Sequence, residues 1–113
     1  MSNSTVVLFT RFGLGQAPEE LQHKMAGVFL TLLAESEALP NQLLFYTDGV
    51  KLVCKGSPVL EQLRALQAKG VELIVCSTCL NYFGLTDQRE VGIVGGMPDI
   101  LEAMQRAGKV ISV

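Results

Sequence analysis

Val71-Glu72-Leu73-Ile74-Val75-Cys76-Ser77-Thr78-Cys79-Leu80 decides how this chain folds. Val71 to Val75 is a short, β-branched apolar run, which suits a strand covered on both faces and delivers Cys76 at its end. Ser77 or Thr78 can then cap a short helix through Cys79, Leu80, Tyr82 and Phe83, and Gly84 stops it. A strand that gives way directly to a helix is the unit of a parallel sheet, and the same alternation extends in both directions.

Upstream, Ser57-Pro58 supplies an N-cap and a first helical residue, Leu60, Leu63 and Leu66 share one helix face, and Gly70 ends that helix. Gln42 to Thr47 reads as a strand halted by Asp48-Gly49, while Val50 to Cys54 fits either a short strand or a helical turn. At the start, Thr5 to Phe9 is another buried strand, followed by a loop with Gly13 and Gly15. Pro18 opens a long helix with Glu19 and Glu20 in its first turn; Leu21, Met25, Val28, Phe29, Leu32 and Leu33 recur at helical spacing as its apolar side. Downstream, Thr86 to Glu90 is polar, and Val91 to Val94 is a weaker strand. Pro98 to Ala107 is a helix with Ile100, Leu101 and Met104 inward, and Val110 to Val113 closes the series. The expected fold is α/β: a five-stranded, mostly parallel sheet with helices on both faces, in a single domain over residues 1–113. Such sheets place their sites at the carboxyl ends of the strands. Those ends carry Arg11 to Gln16, Asp48 to Cys54, Cys76 to Cys79, and Gly95-Gly96.

Composition narrows the function. The 113 residues carry 9 Lys and Arg against 11 Asp and Glu, 49% hydrophobic and 18% charged residues, which excludes intrinsic disorder. The basic residues are scattered singly, so no positive stripe exists for a nucleic acid. No apolar run has the roughly 18 residues of a membrane span, and Met1 to Thr10 lacks the basic start of a signal peptide, so the expected address is cytoplasmic. With a mean hydropathy of +0.35, a lone globule has little polar surface to cover itself, and a homo-oligomer is expected.

Three cysteines cannot all pair within one chain, and a reducing compartment keeps them as thiols. Cys76 and Cys79 form a C-x-x-C at the strand-to-helix junction, where the first helical turn favours a nucleophilic thiolate; against this stands the reading of both as inert core thiols. Zinc needs four ligands, and three cysteines plus the single His23, on the first helix, make a poor set, so no metal and no other cofactor is expected. Ser77 and Thr78, with Gly13, Gly15, Asp48 and Gly49, are expected to line the pocket at the strand ends. Gly13-Leu14-Gly15 is not a dinucleotide fingerprint: Pro18 holds the third glycine position, and Asp48 lies 33 residues past Gly15 rather than about 20. Arg11 and Cys54 are accessory candidates, Arg11 as an anion or thiolate partner and Cys54 as a thiol flanked by Lys51 and Lys55. His23 reads as a surface helix histidine rather than a base.

Three stretches, Asp48 to Ser57, Gly70 to Leu85 and Ala107 to Ile111, resemble the DsrE/DsrF-like sulfur-relay family, and most closely its YedF-type, sulfurtransferase-like selenium-metabolism branch. The resemblance implies a flavodoxin- or Rossmann-like fold, trimers or hexamers, and sulfur passed as a cysteine persulfide. It matches Cys76 to the relay cysteine at the strand end, Cys79 to a second cysteine and Cys54 to a middle-loop cysteine, and it makes Val50 to Cys54 a loop or helical turn. The chain departs from the branch at Gly15 to Leu21, where acidic residues usually follow the second glycine. Nothing corresponds to the TusA-like domain that often accompanies the branch, so a TusA-like donor or acceptor is expected to be a separate chain. The expected function is a persulfide-carrying sulfur or selenium relay protein on Cys76 and Cys79. The alternative is a non-catalytic, oligomeric small-ligand-binding or regulatory module with structural cysteines. Fast alkylation of at least one thiol separates the two.

Overall fold

The structure, a computed structural model, describes residues 4–113. The first three residues of the expected 1–113 domain, which also entered the argument about a leader, lie outside the described residues.

The elements run β1 (Thr5–Phe9), α1 (Glu19–Glu35), β2 (Gln42–Phe45), a 3-10 helix (Thr47–Val53), α2 (Leu60–Ala68), β3 (Glu72–Cys76), α3 (Ser77–Tyr82), a 3-10 turn (Thr86–Gln88), β4 (Ile93–Gly95), α4 (Met97–Arg106) and β5 (Lys109–Ser112). All four strand pairings are parallel, in the order β4-β3-β2-β1-β5. The ambiguous Val50–Cys54 segment is helical up to Val53, in the 3-10 helix whose Gly49, Val50, Leu52 and Val53 are buried, and Cys54 follows it in extended conformation.

Leu8, Leu44 and Ile74 lie in one row across the sheet, and Phe9, Phe45 and Val75 in the next, so the two rows face opposite sides. Phe9 stacks on Phe45 at 5.1 Å and meets Phe29 of α1 edge-on at 6.3 Å, which puts α1, and α2 packed against it, on the Phe9 side. On the other side, a β-carbon built on Gly95 would touch both Ile74 and Asp99 of α4. The crossover through α4 from β4 to β5 therefore covers the second face. Up to β3, connections leave toward the first face; after β4 the chain leaves toward the second. The crevice between diverging connections, where ligands bind in open α/β sheets, is thus at the ends of β3 and β4, and Cys76 and Gly95 are register partners there.

Two expected helix faces are corrected. In α1, the buried residues are Ala26, Leu30 and Ala34; Phe29 and Leu33 pack partly against the core, while Leu21, Met25, Val28 and Leu32 are 43–61% exposed. The helix is apolar on both sides, and small alanines bring the inward side close to α2 and the sheet. In α4, Ile100 and Ala103 are buried, Met104 is partly so, and Leu101 faces outward. Element ends shift slightly: Pro18 is the residue before α1, and α2 begins at Leu60, past Ser57, whose hydroxyl accepts the Val59 N–H at 3.2 Å.

Candidate functional site

Cys76 ends β3 and is 2% exposed, while Cys79, the third residue of α3, is half-buried at the surface. The two thiols are neighbours, close enough that Cys76 acts on the Cys79 pKa. Cys76, rather than Ser77 or Thr78, occupies the cap position, and Ser77 and Thr78 are the first two, exposed residues of α3. With six residues, α3 is a single turn and a half, too short for a substantial dipole. The expected lowering of the Cys79 pKa is accordingly reversed. Burial pushes the Cys79 thiol up, the neighbouring Cys76 adds to the rise, and a backbone N–H from Thr47 opposes both.

That N–H comes from the opening of the 3-10 helix. Thr47 donates it to Cys79 Sγ at 3.0 Å, and the Thr47 hydroxyl sits 2.7 Å from the carbonyl oxygens of Thr10 and Tyr46. The segment is pressed against the end of β1, with Tyr46 N–H donating to the Phe9 carbonyl at 3.2 Å. Gly49 is required here by close approach: a β-carbon on it would lie 1.9 Å from the Phe9 carbonyl oxygen. Its function is to let the loop after β2 seat on β1, which carries Thr47 to the dithiol.

The other sequence candidates sit around this centre. Asp48 pairs with Lys51 at 2.8 Å, and the Lys51 ammonium also lies 4.4 Å from the centroid of the Phe83 ring. Arg11 donates from Nη1 to the Gly15 carbonyl at 2.9 Å, closing the first loop, and its Nε is buried with no hydrogen-bond partner. Arg11, Asp48 and Lys51 line one cavity of about 290 Å³ together with Glu19. Gly13 is buried in that loop at φ 153°, where a β-carbon would meet Gln22 at 2.4 Å. His23 packs edge-on against Phe12 at 4.5 Å, with Glu19 at 3.9 Å from its Nε2.

Cys54 occupies different surroundings. It is 3% exposed, donates to the Val50 carbonyl at 3.2 Å, and borders a cavity of about 380 Å³ with Lys51, Lys55, Phe12 and Phe83. Burial pushes its pKa up, and the cation that opposes this is Arg89, not the flanking lysines. Arg89 is brought there by an antiparallel bridge to Cys54. Sequence reasoning missed Arg89 and Thr47. Neither carries a local signal, since one acts through a long-range pairing and the other through its backbone. A larger cavity, about 630 Å³, lies away from the thiols between α4 and the strands, bordered by Gln42, Glu72, Glu102 and Arg106. Among the described residues, no three His, Cys, Asp or Glu side chains gather as metal ligands, and no helix is long and apolar enough to cross a membrane.

Fold and site together define a parallel α/β domain with a dithiol at the carboxyl edge of its sheet, beside the point where the crossovers change face. The sequence profile of the DsrE/DsrF-like family matches residues 12–113, and the chain belongs to that family. No curated protein matches the sequence significantly. Among solved structures, the YchN protein from E. coli is similar with a TM-score of 0.74 and 19% identity, over 100% of both chains. A protein of unknown function from Methanobacterium thermoautotrophicum gives 0.67 and 19% over 98% of this chain and 100% of the other. One from Bacteroides thetaiotaomicron gives 0.70 and 15% over 98% and 95%. At these identities the likeness concerns the fold.

Proposed function

We propose that the protein is a sulfur carrier whose Cys76–Cys79 dithiol accepts a sulfane sulfur and hands it on. The observation that carries this reading is the dithiol itself: two neighbouring free thiols at the β3 end, one partly exposed to solvent and one buried. Membership of a family generally associated with sulfur relay supports it. In the uptake step, a cysteine thiolate attacks the outer sulfur of a donor persulfide; a new S–S bond forms, the donor's S–S bond breaks, and the donor leaves as a thiolate. Accessibility supports Cys79 as the sulfur that meets the donor, with Cys76 as the resolving thiol. The sequence resemblance assigns these two roles the other way round. Attack by the resolving thiol on the inner sulfur of a persulfide releases hydrogen sulfide and leaves a Cys76–Cys79 disulfide.

A separate TusA-like chain is the donor or acceptor in this proposal, and the cytoplasm its setting. A homo-oligomer, as is typical of the family, accounts for the outward Leu21, Met25, Val28 and Leu32 of α1 and for Ile93, Met97 and Leu101 at the β4 edge, all exposed in a single chain. The competing reading, a ligand-binding or regulatory module with structural cysteines, draws on the upward pKa shifts of Cys54 and Cys79.

Intact mass after incubation with a persulfide donor tests the proposal, using wild type and the three single Cys→Ser variants. Wild type gains one sulfur, Cys79→Ser does not, Cys76→Ser gains and keeps it, and Cys54→Ser behaves as wild type. No gain in any of the four proteins, or a loss confined to Cys54→Ser, refutes the carrier role of this dithiol. A selenide donor in the same assay decides whether the cargo extends to selenium, as the YedF-type resemblance suggests.

A further inference from the structure

Among the described residues, Thr47 is the one non-glycine with a positive φ, 49°. A β-branched residue in the left-handed region is a genuine outlier, since its side chain crowds the following carbonyl, and such conformations persist only where the surroundings impose them. Here three contacts impose it. The Thr47 hydroxyl lies 2.7 Å from the Thr10 and Tyr46 carbonyl oxygens, the Tyr46 N–H is tied to the Phe9 carbonyl at 3.2 Å, and Gly49 sits flush on Phe9. Their joint effect is to turn the Thr47 N–H out of the sheet ladder and onto Cys79 Sγ at 3.0 Å.

We propose that Thr47 is a built-in backbone donor for Cys79 Sγ, stabilising the thiolate that this sulfur becomes when its cargo is handed on. The inference rests on the sulfur-carrier reading and deepens it. In the delivery step, an acceptor thiolate attacks the outer sulfur of the Cys79 persulfide and forms a new S–S bond. The old S–S bond breaks, its electron pair stays on Cys79 Sγ, and the acceptor departs as the persulfide. No net oxidation occurs, and the thiolate later takes a proton from water. Negative charge on Sγ grows along this path, so a donor already in place favours the transition state over the loaded state, as oxyanion-hole donors do for a developing alkoxide.

No lysine, arginine or carboxylate is among the groups that shift the Cys79 pKa. Asp48 and Lys51, on the same 3-10 helix as Thr47, pair with each other at 2.8 Å, and Arg11 Nη1, in the loop after β1, bonds the Gly15 carbonyl. Burial raises the Cys79 pKa most, and Cys76, at the end of β3, raises it further; the Thr47 N–H is the influence that lowers it.

The test reads the pH dependence of Cys79 alkylation in the full chain, by mass spectrometry of the Cys79 peptide, and then sulfur delivery from the loaded protein to a small thiol. Thr47→Val keeps the shape and loses the hydroxyl that holds the turn. Its alkylation midpoint moves up, lowering the Cys79 thiolate fraction and the delivery rate about ten-fold at fixed pH. The conservative variant Thr47→Ser restores both. An amide-to-ester replacement at Thr47, introduced by chemical synthesis with ligation at Cys54, removes the N–H and keeps the side chain, while weakening the Tyr46 carbonyl that accepts the Gly49 N–H at 3.0 Å; it shifts the midpoint as Thr47→Val does and holds the test if the valine variant does not fold. A midpoint and a delivery rate unchanged within about two-fold in the ester overturn the proposal. If wild type takes up no sulfur, the carrier reading fails on its own, and the alkylation midpoints still decide whether the Thr47 N–H acts on Cys79.

Discussion

Gly49→Ala tests how tightly the site depends on the contact between the loop after β2 and the end of β1. A β-carbon at Gly49 would lie 1.9 Å from the Phe9 oxygen, 2.5 Å from the Phe9 carbonyl carbon and 3.1 Å from the Thr10 nitrogen. Real contacts of this kind stay beyond 3.0 Å, so the backbones must part by about 1.1 Å, and all three atoms are main chain of β1 or its exit. β1 is held between β2 and β5 and cannot yield. The 3-10 helix must lift instead, which breaks the Tyr46 N–H bond to Phe9 and the Thr47 hydroxyl contact with Thr10. Two hydrogen bonds at about 1 kcal/mol each, plus about 1–3 kcal/mol for displaced packing around Val50, Leu52 and Val53, give about 3–5 kcal/mol. That is a large part of a domain stability of about 5–15 kcal/mol. Urea unfolding should show the midpoint falling with an unchanged slope. Gly56→Ala is the comparison: unlike Gly49, Gly56 has a positive φ, 89°, and open space within 4 Å, so it reports a backbone-conformation cost without a clash, about 1 kcal/mol. A Gly49→Ala loss no larger than that of Gly56→Ala would refute the close-approach argument.

Light scattering should return a multiple of the 12.2 kDa chain mass, and the double variant Leu21→Lys, Leu32→Lys should reduce it without loss of helical circular dichroism; a wild-type monomer at every concentration would end the oligomer reading. Cys54 and Cys79 are both raised from an ordinary value of 9.0, so the folded chain keeps its protons where the unfolded chain loses them. Their contribution is therefore fully present below about pH 9 and is lost as pH climbs through the folded pKa values, and stability should fall on that side. Cys54→Ala should make the fall shallower; an equal or steeper decline in the variant contradicts the assigned burial of this thiol.

The sheet was legible because its strands are short apolar runs separated by punctuation that leaves few choices: Gly70 and Gly108 fall between a helix and the next strand, and Asp48-Gly49 lies in the first turn of the 3-10 helix after β2. The α1 face was not. Apolar residues line both of its sides, and periodicity identifies a stripe without saying which stripe meets the core. Ala26 and Ala34 win because their size permits close approach, and the bulkier Leu21, Met25, Val28 and Leu32 are left outside. Of the site, Cys76 and Cys79 could be found from their position after an apolar run, and their proximity followed from two intervening residues. Their electrostatics could not be read, because desolvation depends on what closes over the sulfur. Thr47 was invisible for a related reason: a threonine beside Asp-Gly is unremarkable until the clamp on Phe9 and Thr10 forces its backbone to the left-handed side.

The placement of the dithiol follows from topology before it follows from cysteine chemistry. Connections leave one face through β3 and the other from β4 onward, so the ends of these two strands border a crevice that no crossover helix fills. Opposite Cys76, that crevice is edged by Gly95 and Gly96, and Asp99 accepts the Gly96 N–H at 2.9 Å, which starts α4 away from the thiols. A buried thiol there would ordinarily be inert, and the upward shift of Cys79 is the physical expression of that inertness. For a carrier, that inertness has to be overcome, because the thiolate is the form that attacks. Reactivity then has to come from contacts that gain strength as charge appears on the sulfur. The Thr47 N–H has this property, because a hydrogen bond to an anionic sulfur is worth more than one to a neutral thiol. Burial sets the resting state and the strained turn biases the reacting one, and both are fixed by the seating of the 3-10 helix on β1.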